Sequence, residues 1–357
     1  MASSMGSSRY LIAVVALALA GGAVLVWWGQ PTAGVRADVP QAKRSGHAHH
    51  MPPTKGSERY QYAYPAGARV GADGVYNPTP PPMEKKRIHE YVLEVREDSE
   101  HEVAPGIKVP AWTFNGTVPG PILRATEGDI IRVKMVNNGT LPHTIHFHGI
   151  HPAAMDGVFE LVAAGQSYTY EFVAQPYGVF PYHCHSSPSS QHIHNGLYGM
   201  LIVDPKEGRP PMREMAMVMS AFDLDRDGDA DFYAWNGKAF QYADHPIDLA
   251  VGEPVRMYVL NIFEEMMAPH IHGNMFQLYR SGTSMKPSEL TDVVSLGIAE
   301  RAILEFKYNY PGAYMFQCHF SEHMELGLMG WFRVGEKSKE SATATTPAPH
   351  LHAKGKQ

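Results

Sequence analysis

His146-Phe147-His148-Gly149 and His270-Ile271-His272-Gly273 are two copies of one short pattern, displaced by 124 residues. A second pattern, His183-Cys184-His185, returns as Gln317-Cys318-His319 at a displacement of 134. Imidazole nitrogen and thiolate sulfur are the side-chain donors that hold borderline and soft transition metals. Twelve of the chain's 20 histidines fall in the four windows that these patterns mark, and each cysteine directly precedes a histidine. Two cysteines in 357 residues cannot staple a fold, so the clustering indicates metal ligation.

On a strand, residues i and i+2 face one way and i+1 or i+3 the other. His146 and His148 therefore share a face, and His143 looks away from them. His183 and His185 likewise share a face, with Cys184 turned to the opposite one. The first half can thus offer four histidines to one site and keep His143 and Cys184 for another. A thiolate with two imidazoles and a weak axial partner is the set that holds an electron-transfer copper. His192, five residues before Leu197, is the best-placed third ligand, and His194 is its competitor. Leu197 falls at the axial position, where an apolar residue leaves the copper three-coordinate and raises its potential; Met200 is the lesser alternative. The four outward histidines join His270, His272 and His319 to make seven imidazoles. One mononuclear site needs only three or four nitrogens, so seven require a cluster.

Short strands must position these groups. Alternating or apolar runs at 129–136, 167–173, 200–203, 255–260, 302–306 and 331–334 are separated by Gly, Pro and Asn turns, the pattern of β-sandwiches. No long stretch after residue 85 has helical periodicity. With the internal repeat, this gives two copies of one sandwich, at 85–205 and 212–335, in an all-β chain of a length that suits two domains. An uncharged apolar run at 11–28 is an export signal or signal-anchor, which places the body outside the cytoplasm, periplasmic or extracellular. Residues 29–84 are a Pro/Gly-rich linker with His47, His49, His50 and Met51, and 338–357 are a low-complexity tail with His350 and His352. The formal net charge of −6 argues against a nucleic-acid partner. Met212, Met215, Met217 and Met219 alternate as core-filling residues do, although such a run also suits copper handling. The run Asp223-Leu224-Asp225-Arg226-Asp227-Gly228-Asp229 resembles a calcium loop, but position 12 is Ala234 and no helices flank it, so it reads as a solvated turn.

In combination, Phe114-Asn115-Gly116-Thr117-Val118-Pro119-Gly120-Pro121, the run 141–149, His183-Cys184-His185 and the run 268–273 resemble the multicopper oxidases, specifically their two-domain, laccase-like members. The resemblance implies tandem cupredoxin-like Greek-key sandwiches. It also implies a trinuclear copper centre that reduces dioxygen to water, fed from a type 1 copper by an unidentified reducing substrate. By position, His146 and His270 match the type 2 copper ligands. His148, His183 and His319 match one type 3 copper, and His185 and His272 the other. Asp156, in Met155-Asp156-Gly157-Val158, resembles the family's acid beside the cluster, against the plainer reading of an Asp-Gly turn. Because the relatives close the cluster between subunits, a homotrimer is implied; the apolar run at 11–28 would in its signal-anchor reading tie the N-terminus to a membrane.

Three departures qualify that picture. Met267 stands where a second-domain type 1 histidine is expected. With Cys318 and His323 it leaves a soft Met-Cys-His set, read as a vestige. Gln317 replaces the eighth cluster histidine and weakens one type 3 copper, so the full loading of about four coppers per chain is not assured. Third, copper nitrite reductases share the architecture, and their catalytic trio matches His148, His183 and His319. Position 146 is His where those enzymes carry Asp, and His185 and His272 are extra ligands. Oxidase is the favoured reading, nitrite reductase the runner-up, and a non-catalytic periplasmic copper-binding or electron-transfer protein the third.

Overall fold

The computed structural model describes Val70 and residues 74–335 of the chain. The apolar run at 11–28, the histidines of both tails and the stretch beyond 338 lie outside the described residues. No helix among the described residues is long and apolar enough to cross a membrane.

The first half contributes β1 (Ile88–Ala104), β2 (Ile107–Phe114), β3 (Leu123–Thr126), β4 (Ile130–Asn137), β5 (His146–Phe147), β6 (Ser167–Val173), β7 (Gly178–His183) and β8 (Tyr198–Asp204). These form two sheets, ordered β2-β1-β4-β6 and β3-β8-β7-β5. The second half contributes β9 (Arg213–Phe222), β10 (Phe232–Trp235), β11 (His245–Ala250), β12 (Val255–Asn261), β13 (Pro269–Ile271), β14 (Phe276–Arg280), β15 (Glu289–Thr291), β16 (Arg301–Phe306), β17 (Gly312–Cys318) and β18 (Met329–Gly335). Its sheets run β10-β9-β12-β16-β14-β15 and β11-β18-β17-β13. Only short helices intervene: a 3₁₀ turn (Ala153–Met155), α1 (Ser189–His194), α2 (Gln241–Asp244) and α3 (Ser321–Glu325).

The repeat read from the histidines is a repeat of pairing. β1 pairs in parallel with β4 as β12 does with β9, and β3 with β8 as β11 does with β18. β5 lies antiparallel to β7 with His146 opposite His183, and β13 lies antiparallel to β17 with His270 opposite Gln317. Each histidine pair is thus set by strand register against its half's cysteine segment.

Each half buries its own core. Leu93, Phe114, Ile131, Phe147, Tyr170 and Tyr182 fill the first, and Met215, Met217, Met219, Trp235, Phe316 and Phe332 fill much of the second. The alternating methionines are therefore packing residues. A third cluster, including Val179, Met200, Ile202, Val218, Tyr258 and Leu260, joins the halves. Apolar burial on this scale stabilises by about 1.5–3 kcal/mol for each large side chain. β8 is buried on both faces, Leu201 and Val203 toward its own core and Met200 and Ile202 toward the junction. This is why its sequence is continuously apolar.

A charged network also crosses the junction. Arg124 binds Asp204 at 2.7 and 3.0 Å and Glu214 at 2.6 and 3.1 Å. Arg256 reaches Glu214 at 3.2 Å and Glu305 at 2.7 Å. The end of the stretch read as a linker lies against the body: Tyr76 N donates to Gln241 Oε1 at 2.9 Å, and Ala216 N to Pro78 O at 2.7 Å. Its prolines leave carbonyls unpaired within their own segment, and neighbouring donors take them up.

Candidate metal centres

His143, Cys184 and His192 come from three pieces of chain, the approach to β5, the residue after β7, and α1. Cys184 Sγ lies 3.6 Å from His143 Nδ1 and 3.2 Å from His192 Nδ1, and the two nitrogens are 3.1 Å apart. All three side chains are buried. α1 separates His192 from its competitor, because two positions on a helix differ by about 200°. His192 turns inward, and His194 is 40% exposed with Nε2 3.9 Å from Glu264. Leu197 is fully buried in the same core as Cys184 and accepts the Cys184 N–H at 2.9 Å. Met200 points to the junction cluster on the other face of β8.

Three further contacts hold this pocket. Glu97 Oε1 accepts His143 Nε2–H at 2.7 Å, which leaves Nδ1 as a lone pair toward the sulfur. Thr144 N–H donates to Cys184 Sγ at 3.5 Å. The Trp112 ring meets His143 and His192 edge-on at 5.6 and 4.9 Å. Neither Glu97 nor Trp112 was visible in the sequence, where Glu97 is one of several charges along β1. Partial burial works against the Glu97 carboxylate. Bonds from Thr140, His143 and the Leu141 and Thr140 amides outweigh it and bring its pKa down to about 2. Burial, followed by the neighbouring His143, lowers His192 to about 4, and burial also lowers His143. Two imidazoles neutral at physiological pH and a sulfur, converging inside van der Waals range, are a donor set that a soft or borderline cation satisfies.

The second group gathers at the β5–β7 edge. His146 lies within 5.0, 5.3 and 5.4 Å, ring to ring, of His148, His183 and His185. Ligand atoms of His146, His148 and His183 all lie within 4.8 Å of one another. Backbone carbonyls fix two of these rings. His146 Nδ1 donates to Asp156 O at 2.7 Å and His183 Nδ1 to Cys184 O at 3.0 Å, so both present Nε2 outward. His148 Nε2 lies 3.4 Å from His183 Nε2. Burial is the main cause that brings His148 down to about 3 and His183 to about 4, so neither nitrogen carries a competing proton at neutral pH. The Asp156 carboxylate lies 3.3 Å from His146 Nδ1 and 3.8 Å from His151 Nε2. Its own backbone carbonyl anchors His146, a role with no sequence signal.

The second half carries a smaller group. His270 lies 4.9 Å from His272 and 5.0 Å from His319, ring to ring. Asp292 O accepts His270 Nδ1–H at 2.7 Å, the counterpart of Asp156 and His146. His272 and His319 are exposed. Gln317 Oε1, across the sheet from His270, is buried with no hydrogen-bond partner. Among the described residues, no metal-ligand group takes histidines from both halves. Cys318 Sγ lies 3.4 Å from His323 Nδ1, with Met267 buried in the same core as Cys318. Asp223, Asp225 and Asp227 also come together, but their oxygens accept the backbone N–H groups of Arg226, Gly228, Asp227 and Asp229, as in an ordinary acidic turn.

Two multicopper oxidase family profiles match the chain, one over residues 94–208 and one over 209–338. The chain belongs to the multicopper oxidase family. Within that family it is 30% identical over 262 residues to the copper-containing nitrite reductase of Neisseria gonorrhoeae, covering 67% of each protein. Among solved structures it is similar to a multicopper oxidase at 44% identity and a TM-score of 0.68, covering 74% of this chain and 92% of that one. Copper nitrite reductase from Nitrosomonas europaea matches at 27% identity and a TM-score of 0.64, covering 70% and 94%. Family membership makes the protein a copper-binding oxidoreductase built from two cupredoxin-like domains. Each matched segment contains one histidine group and one cysteine.

Proposed function

We propose that the protein is an oxidase that takes single electrons from a reducing substrate and reduces dioxygen to water. His143, Cys184 and His192, beneath Leu197, would hold the type 1 copper. His146, His148, His183 and His185 of one chain, with His270, His272 and His319 of another, would hold the cluster in a homotrimer. His146 carries this reading. It packs against three other imidazoles, with Nε2 turned outward by the Asp156 carbonyl, where a single three-ligand copper needs no such group. The exposed, incomplete group at His272 and His319 supports assembly with a second copy. The apolar run at 11–28 supports export and anchoring at a membrane.

When bound, copper supplies the one-electron redox chemistry; the chain supplies ligands, alignment and proton positions. Cys184 is joined through the backbone to both His183 and His185, so one short segment links the two sites covalently. Burial keeps water from the Cys184 sulfur, and Thr144 N–H and Glu97 hold its surroundings rigid. The Asp156 carboxylate, a third exposed beside His146 and His151, is placed to pass protons inward from solvent.

One specific observation favours a second reading, nitrite reduction: a relative at 30% identity, matched over two thirds of both proteins, is a copper-containing nitrite reductase. Copper content and molecular mass of the purified protein test the proposal. Up to about four coppers per chain are expected in these sites of a trimer, and about three if Gln317 leaves one type 3 position empty. Two coppers per chain with nitrite turnover would favour the reductase, and an active monomer would exclude the shared cluster.

A further inference from the structure

The second half repeats the frame of the Cys184 pocket with one donor exchanged. In the first half, Thr144 N–H donates to Cys184 Sγ at 3.5 Å, and His143, just before it, exchanges backbone bonds with Val162 at 3.1 and 3.0 Å. In the second, Ala268 N–H donates to Cys318 Sγ at 3.2 Å, and Met267, just before it, exchanges backbone bonds with Leu296 at 3.0 and 2.8 Å. Cys184 N binds Leu197 O at 2.9 Å and Leu197 N binds His192 O at 3.2 Å; Cys318 N binds Leu328 O at 3.0 Å and Leu328 N binds His323 O at 2.9 Å. The imidazole Nδ1 lies 3.2 Å from sulfur in the first pocket and 3.4 Å in the second. Met267 therefore occupies the place of His143.

The surroundings hold that pocket ready. Met267, Cys318 and Leu328 are fully buried, and His323 is 7% exposed. Tyr233 stacks on the His323 ring at 3.9 Å and 12° and donates its hydroxyl to Glu265 at 2.7 Å. The same carboxylate lies 3.4 Å from His323 Nε2, which orients Nδ1 toward Cys318. Three donors on a repeated metal-site frame, with an oriented imidazole, are more than an inert buried thiol requires. Thiolate, thioether and imidazole are soft donors that select copper(I).

We propose that Met267, Cys318 and His323 bind one copper(I) ion, separate from the Cys184 pocket and from the histidine groups. Binding releases the Cys318 thiol proton to solvent as the sulfur–copper bond forms, and no electron changes hands. Exchanging an imidazole for a thioether disfavours copper(II), so the site stays reduced and colourless and is not an electron entry.

The test is anaerobic titration of the metal-free full-length protein with copper(I), using bicinchoninate as the competing chelator. Wild type should bind one equivalent more than Cys318→Ser. Met267→Leu, which nearly conserves volume and apolarity, should weaken that equivalent about tenfold or more while the blue absorption of the Cys184 site is kept. Equal stoichiometry in wild type and Cys318→Ser would overturn the proposal, as would unchanged affinity in Met267→Leu. If Cys318→Ser does not fold, the Met267→Leu titration alone decides. Neither readout depends on whether oxygen or nitrite is the acceptor.

Discussion

Glu97 anchors His143 from the far side of the ring, its Oε1 2.7 Å from Nε2 while Nδ1 faces the Cys184 sulfur. An anion bonded to a ligand imidazole makes it a stronger donor and favours copper(II) over copper(I). In the proposed type 1 site, Glu97→Gln should therefore raise the potential of the bound copper. A tenfold loss of copper(II) affinity relative to copper(I) corresponds to about 59 mV for one electron. Redox titration of the blue absorption reads this directly, and an unchanged or lowered potential would show that Glu97 does not tune the site.

The metal-free protein should lose stability in acid. Burial holds the folded pKa of His148 at about 3 and of His183 and His192 at about 4, each below the ordinary value of 6.5. Below 6.5 the unfolded chain then binds protons that the folded chain refuses, so stability falls as pH drops from there toward 4. The slope is up to about 1.4 kcal/mol per pH unit for each histidine. Denaturant titrations between pH 7 and 4.5 should show this loss, and bound copper should reduce it, since a metal occupies the same lone pairs.

Breaking the junction network should cost stability without touching a ligand. Arg124 is buried between Asp204 and Glu214, so Arg124→Ala leaves Asp204 without its cation and Glu214 with Arg256 and Tyr258 alone. A loss of about 3–5 kcal/mol is expected from such a cut. Equilibrium unfolding measures it, with copper content at low denaturant as the control.

Much of the Cys184 pocket was legible because it rests on strand alternation, which separates Cys184 from its flanking histidines. Leu197 was legible through its spacing from His192. The preference for His192 over His194 rested on that same spacing; the helix of six residues that turns the two rings apart had no periodicity to announce it. Glu97 was hidden for a different reason. It reaches His143 from 46 residues away, along a strand whose other charges face solvent. The histidine groups of the two halves were readable as sets, but the carbonyls of Asp156 and Asp292 that orient them are backbone atoms without sequence identity.

Asp156→Asn should slow oxygen reduction without emptying the copper sites. The amide keeps the backbone carbonyl that holds His146 and removes only the proton-carrying group. A fall in kcat of about 10²-fold is expected, at unchanged copper content and blue absorption. If copper were lost in parallel with activity, Asp156 would be a structural support and not a proton carrier.

The acceptor reaction itself gives the most direct test of the oxidase reading. The copper-loaded protein, supplied with a one-electron donor, should be followed with an oxygen electrode while donor oxidation and nitrite are measured together. Four donor equivalents oxidised per dioxygen consumed, without hydrogen peroxide and without nitrite loss, is the result expected for a shared copper cluster. Nitrite consumption at one electron each, with dioxygen untouched, would contradict it.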